Sequence, residues 1–526
     1  MTRPIPAALV VLAAVVPAPL VAAAPQAPRA ERTTPEKARR ARSLMAEGMS
    51  LLRAERVEEA RARFEQTLQV DPADAEAHYM LGWLRERARD LDGAATSYLE
   101  AIRHAPNMAA AHDRLGFVRG EQGRTAEALA EFEKAVSLDP ALFDAQYHLG
   151  ATRWWTGQVE DALAPLRRAV TLRPDHAEAR YHLGQALRRS GNLPDAVEQL
   201  RKAAALAPKL ALVRVQLGVA LREWGDVEGA VAELRKAVEL DGSLADARNA
   251  LGLALMQKGE AEEAVATLRA LVATDPANLS ARHNLGSALM QKGDLEGAIA
   301  VYRELTRTAP TSAEAFYNLG LALKQKDDFA GAEAALRQAV ALDPALPEAP
   351  FTLGVVLWQT ARAEEAAQAF AQAIARKPAY AEAHYMLATV RKQQGRLDEA
   401  LAELRETVRH DPASAEAHLS LGQVLQQKKD AAAAAAAFAE AERLNRKKAD
   451  AQAAAFALSR GRDKLERGDL EGALERLREA VRLAPADAQA RYELALALKR
   501  SGAQADAKAQ LEEARHLAPW LAAREP

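Results

Sequence analysis

The sequence predicts an all-α solenoid of about fourteen tandem 34-residue helix–turn–helix repeats, and three observations carry that expectation. Residues 251–259 read LGLALMQKG and residues 285–293 read LGSALMQKG, almost the same phrase 34 positions later. The composition is 49% hydrophobic but only 5% aromatic, so the apolar mass is mostly Ala, Leu and Val, which favours helix over sheet. Proline recurs at the same interval along nearly the whole chain, at Pro72, Pro106, Pro140, Pro174 and Pro208, and again at Pro276, Pro310, Pro344, Pro378 and Pro412.

That register divides residues 41–448 into twelve contiguous repeats, then skips the five residues Ala449–Ala453 and resumes for two more over 454–521. Position twenty is alanine in every repeat, from Ala60 to Ala507, and position eight is glycine in twelve, with Ala388 and Ala495 the exceptions. One repeat illustrates the physics. Leu285, Ala288 and Leu289 fall at helical spacing and give the first helix an apolar stripe. Gly293 suits the left-handed residue that ends a helix, and Asp294 can cap the next one. Ala298, Tyr302 and Leu305 form the second helix's apolar face, and Pro310 stops it. Gly286 and Ala298 are small enough for the two helices to approach closely. Neither helix buries its stripe alone, so each repeat needs its neighbours.

The joint at 441–461 (AERLNRKKADAQAAAFALSRG) lacks the proline and holds the five extra residues. With no breaker, one helix is expected to run through or to begin early, with a change of phase between the first twelve repeats and the last two. The run Ala431–Ala437 reads simply as good second-helix sequence.

At the N-terminus, Arg3, the apolar run Ala7–Val16 and the small residues Val21–Ala24 describe a secretory signal over 1–24. Pro17 and Pro19 interrupt the stretch before the roughly 20 apolar residues that a spanning helix wants. The chain is therefore expected to be exported, periplasmic or secreted; the alternative is an N-terminal anchor in the inner membrane. Residues 25–40 read as a polar linker with a helix start at Thr34-Pro35-Glu36, and 522–526 as a tail.

The unit resembles the tetratricopeptide repeat, which has leucine-glycine at positions seven and eight, alanine at twenty, an aromatic or leucine at twenty-four, alanine at twenty-seven and proline at thirty-two. Position twenty-four here is always Phe, Tyr or Leu, and position twenty-seven is alanine except at Thr67, Leu271, Leu305 and Thr407. The resemblance covers 41–521. It implies 28 helices in a right-handed superhelix, with first helices lining the concave groove and second helices forming the convex back.

The chemistry such an array could carry is narrow. The chain has no cysteine, which removes disulfides, thiolate metal sites and cysteine nucleophiles. Formal charge is −2 with 27% charged residues, so no basic bulk points to nucleic acid. Phosphate-binding, serine-nucleophile and HExxH motifs are missing from the sequence. His78, His112, His384 and His418 share position four, and His148 and His182 share position six. No i,i+4 pair on one helix and no convergent carboxylate accompanies them, so they read as solvated or partly packed rather than as ligands. No enzyme activity, metal site or cofactor is expected, and RDLDG at 89–93 reads as a turn.

Binding is better supported. Groove-facing aromatic positions give Tyr79, Tyr147, Tyr181, Tyr317, Phe351 and Tyr385 at position five, Trp83 at position nine, and Trp154, Trp155 and Trp358 near the first helix's end. Rings of this kind anchor peptides, although tyrosine at position five also packs ordinary repeats. Position two is acidic in eight repeats, including Glu348, Glu382 and Glu416, while the helix ends lean basic. The helix dipole accounts for that polarity; a groove with an acidic and a basic edge is the functional reading. Family members that clamp a C-terminal carboxylate use Lys and Arg at positions two and six, a pattern not found here, and the asparagine ladder of glycosyltransferase-linked arrays is reduced to Asn284 and Asn318. The expected function is a noncatalytic scaffold that binds protein or peptide partners in a bacterial cell envelope. The alternatives are the scaffold arm of a polysaccharide-secretion or outer-membrane assembly, and a regulatory array beside a glycosyltransferase. Membrane contact is expected only through an uncleaved N-terminal segment. Trp520 is expected to cover the last repeat's apolar face, or that end pairs with another molecule.

Overall fold

The computed structural model describes residues 34–518 and Trp520, and among them the chain forms 27 α-helices and no strand. The helices are labelled α1 to α27 in chain order, from α1 (Pro35–Arg53) to α27 (Gln504–Leu517). The export segment 1–24, most of the linker and the tail 522–526 lie outside the described residues. None of the described helices is long and apolar enough to cross a membrane. The chain forms two compact bodies that divide at Ala220/Leu221, inside α11 (Ala211–Trp224).

Each repeat begins and ends as its residues dictate. Thr34 caps α1 and Pro35 opens it, with the Lys37 amide donating to Thr34 Oγ1 at 3.5 Å. Asp294 caps its helix by accepting from the Gly297 amide at 2.9 Å. Between the two helices of a repeat, position fifteen is left-handed throughout: nine glycines, and also Glu55, Arg89, Asp327, Ala361 and Lys429. The second helix then stops where the prolines stand, its last amide bond running four residues back, as in Asp71 to Thr67 at 2.8 Å. One proline sits inside a helix, Pro165 of α8 (Val159–Leu172). It leaves the Asp161 carbonyl without its helical donor, and Arg153 Nη1 donates to that oxygen at 3.3 Å.

The core of each repeat is a small residue seated on a large one. A Cβ placed on Gly286 would lie 2.5 Å from the Tyr302 ring, and one on Gly48 would lie 2.5 Å from the Phe64 ring. Position-twenty alanines are fully buried from Ala60 to Ala400. The apolar clusters run from one repeat into the next. One joins Met45, Phe64, Tyr98 and Leu115, and another joins Leu166, Leu183 and Ala196. This is the burial that an isolated repeat lacks.

The helix count departs from expectation at one place. The second helix of the twelfth repeat and the first of the thirteenth are a single 36-residue helix, α24 (Ala431–Glu466), so 28 becomes 27. The five extra residues continue the helix, since Arg446 replaces the proline that would have ended it. Residues 445–453 in its middle are all exposed, and Phe456 is 67% exposed. At the other end Trp520 packs with Ala488, Leu496, Leu511 and Ala518 around Tyr492 and Ala514, covering the last repeat. A Cβ on Gly225 would stand 3.4 Å from Trp520 Nε1, so the indole also approaches that turn.

Candidate functional site

In the first body the aromatic candidates divide by burial. Tyr79, Trp83 and Tyr147 are 4%, 5% and 6% exposed. Tyr79 lies 5.7 Å from the Tyr98 ring, Trp83 carries the Arg87 guanidinium at 4.9 Å, and the Tyr147 hydroxyl donates to Glu178. Burial pushes the Tyr79 phenol up to about 12 and the Tyr147 phenol above its ordinary range, the latter with help from the Glu178 charge. Tyr79 and Trp83 are thus packed against their own repeat, and Tyr147 against the next. Trp154, Trp155 and Tyr181 are half-buried.

The centre of that group is a residue the sequence places among the solvated or partly packed histidines. His182 is buried, with its ring 5.8 Å from Tyr147, 5.6 Å from Trp154 and 5.2 Å from Tyr181. Burial, then the neighbouring His176, lowers its pKa from 6.5 to about 4. Arg189 stacks over the Trp154 ring at 4.9 Å. Trp154 Nε1, His182 Nδ1 and Gln185 Oε1 are buried without hydrogen-bond partners, a state that favours whatever can bond them.

The second body brings Phe351 and Tyr385 together, from neighbouring first helices α19 (Glu348–Gln359) and α21 (Ala381–Gln393). They line a pocket of about 300 Å³ with Ala381, Glu382, Met386, Thr407, Asp411, Ser414 and Glu416. Phe351 packs in tilted contacts against Tyr380 at 5.0 Å and Phe370 at 5.8 Å, which fixes its ring. The Tyr385 and Ser420 hydroxyls are 3.4 Å apart. Glu382 and Glu416, both at position two, are exposed at the pocket. Lys448 Nζ stands 3.6 Å from Glu416 on an exposed side chain, a pairing of small worth in water. Tyr317 and Trp358 are half-buried beyond the pocket lining; Trp358 Nε1 donates to Gln393 Oε1 at 3.2 Å.

The histidines need a correction, because carboxylates do converge on several of them. His112 Nδ1 is 2.6 Å from Glu131, His384 Nδ1 is 2.5 Å from Glu403, and His148 Nδ1 is 2.8 Å from Asp113. Burial alone would raise the Asp113 carboxyl, but the charge and hydrogen bond of His148 and the charge of Arg114 hold it below its ordinary value. Glu100 and His104 form an i,i+4 pair on α4 (Leu91–His104) and meet His78 of α3 (Ala75–Arg87). Reading histidines alone along one helix misses partners that lie 19 to 35 residues away on other helices.

Comparison with known proteins agrees with the repeat geometry. The family described as tetratricopeptide repeat matches residues 45–109, 115–174 and 153–211, and that described as TPR repeat matches 461–502. The C-terminal domain of cilia and flagella-associated protein 70 matches 203–458. The chain belongs to the tetratricopeptide-repeat proteins. Among solved structures, MamA is 28% identical over 31% of this chain and 96% of its own, with a TM-score of 0.30. YrrB, titled a TPR protein with an unusual peptide-binding site, is 27% identical over 35% of this chain and 95% of its own, at 0.33. Yeast Tom70 is 15% identical over 76% of this chain and 96% of its own, at 0.39. No curated protein matches the chain.

Proposed function

We propose that the chain is a noncatalytic scaffold that holds protein or peptide partners against its first-helix faces, and that it does so in a bacterial cell envelope. The observation that carries the reading is the pocket at Phe351 and Tyr385, where two rings chosen from sequence meet two position-two acids around one opening. An apolar floor takes a side chain, and the exposed carboxylates of Glu382 and Glu416 favour a basic group beside it. Lys448 on Glu416 is the cation that a partner's Arg or Lys would replace. In the first body the half-buried Trp154, Trp155 and Tyr181 form a separate candidate face. Export rests on the signal-like residues 1–24. A noncatalytic role rests on residues 41–448 and 454–521 reading as interaction repeats without a phosphate-binding, serine-nucleophile or HExxH motif.

The test is selection of a displayed peptide library on the full chain, in parallel with Phe351→Ala and Tyr385→Ala. Selected peptides should pair an apolar residue with Arg or Lys, and each variant should bind them about tenfold more weakly, the loss of roughly 1.4 kcal/mol. Peptides held equally by the parent and both variants would sink the pocket as the site.

A further inference from the structure

We infer that His78, Glu100 and His104 form a binding site for a divalent transition ion of the zinc class, tying α3 to α4 in the second repeat. One ligand atom from each residue lies within 4.8 Å of the other two, and all three side chains are half-buried. Two imidazoles and a carboxylate are a zinc donor set that leaves a fourth position for water. The apo spacing is wider than the edge of a zinc tetrahedron, about 3.4 Å for bonds of about 2.1 Å. Rotation of Glu100 and His104, whose side chains are 37% and 23% exposed, closes it.

The other repeats show why this one is different. Wherever histidine stands at position four, its Nε2 meets the carbonyl of the preceding repeat's proline: Pro72 for His78, Pro106 for His112, Pro378 for His384 and Pro412 for His418. Donation from Nε2 leaves Nδ1 as the lone pair of the neutral ring, the orientation that ligating histidines show. In His112 and His384 a position-twenty-three glutamate faces Nδ1 and accepts its hydrogen, at 2.6 and 2.5 Å, so no lone pair is left there. The second repeat has Ser97 at that position, bonded instead to Arg85 and to the Gly93 carbonyl. His78 instead faces the His104 ring, stacked at 5.7 Å, and His104 Nε2 is 3.7 Å from Glu100 Oε2. Among the described residues the cation that competes at Glu100 is Arg103, 3.3 Å away with a side chain 71% exposed, able to swing into water.

The eleventh repeat repeats the residues without the opening. His384 and His410 stack at 6.0 Å with Glu406 alongside at 3.5 Å. There His384 Nδ1 donates to Glu403, and Arg409 donates to His410 Nε2 at 3.1 Å, so neither nitrogen offers a free lone pair.

The test is titration of the full-length, tag-free, chelator-treated chain with Zn²⁺, and with Co²⁺ as a visible-absorption probe. One ion per chain should bind and develop a d–d band. His104→Ala and Glu100→Gln should each weaken binding by about tenfold or more and remove the band, with circular dichroism unchanged. His410→Ala should bind as the parent does. Lack of saturable binding, binding unchanged in both His104→Ala and Glu100→Gln, or binding lost only in His410→Ala would each overturn the assignment.

Discussion

Position fifteen of each repeat turns the chain through a left-handed backbone, and at five positions the residue carries a side chain that disfavours it. Ala361 is the simplest case, with φ of 63° and an exposed methyl. The left-handed conformation costs an L-residue about 1–2 kcal/mol, and glycine escapes most of that. Ala361→Gly should therefore stabilise the fold by about 1 kcal/mol, raising the denaturation midpoint without changing the denaturant slope. An unchanged midpoint would mean that the local turn absorbs the strain. At the same scale, sequence reading found the small residue at position eight but set Gly286 beside Ala298, whereas the structure seats it on the Tyr302 ring. Every repeat with Phe or Tyr at position twenty-four has glycine at position eight, while Ala388 and Ala495 face Leu404 and Leu511. What it did not recover was burial: Tyr79, Trp83 and Tyr147 carry the same letters as groove anchors but are covered by packing with neighbouring residues.

Among the elements, α24 behaves unlike the rest. Its two ends are held by burial, through Ala434, Ala437, Ala441 and Leu444 at one and Ala454, Ala457 and Gly461 at the other. Between them residues 445–453 bury nothing, so only helix propensity and backbone bonds hold that stretch. It contains Arg446, Lys447 and Lys448, all exposed. Limited trypsin digestion of the full chain should cut at 446–448 before any other joint between repeats. Earlier cleavage at a proline-bearing joint would show that this bridge is as well held as the others. The missing proline made the anomaly legible in sequence; that the helix would continue unbroken through the insertion depended on both ends finding their own partners.

At the scale of the molecule, the first body carries a built-in acid sensitivity. It contains His182, neutral in the fold, whose pKa is about 4 against an ordinary 6.5. The sign follows from proton counting: below pH 6.5 the unfolded chain binds a proton that the folded chain refuses, so stability falls as pH drops from 6.5 to 4. The loss is about 3 kcal/mol. Asp113, with its carboxyl held low, adds a second loss as pH falls below its ordinary value of 3.8 and on through its folded one. Hydrogen exchange on the full chain should show residues 143–206 opening first between pH 6.5 and 4, and His182→Gln should flatten that response. An unchanged response in His182→Gln would rule out this histidine as its cause.

Sequence by itself determined the repeat length, the turn and cap residues, the small residues at positions eight and twenty, and membership of an interaction-repeat family. All of these are set by neighbours within one helical hairpin, where spacing alone brings residues together. Only tertiary structure decided which rings are buried and which line a pocket, how Phe351 meets Tyr385 across repeats, and that His78 meets Glu100 and His104. Those contacts depend on how each helix is rotated against the next, a quantity set by packing of many side chains at once and written in no single stretch of residues.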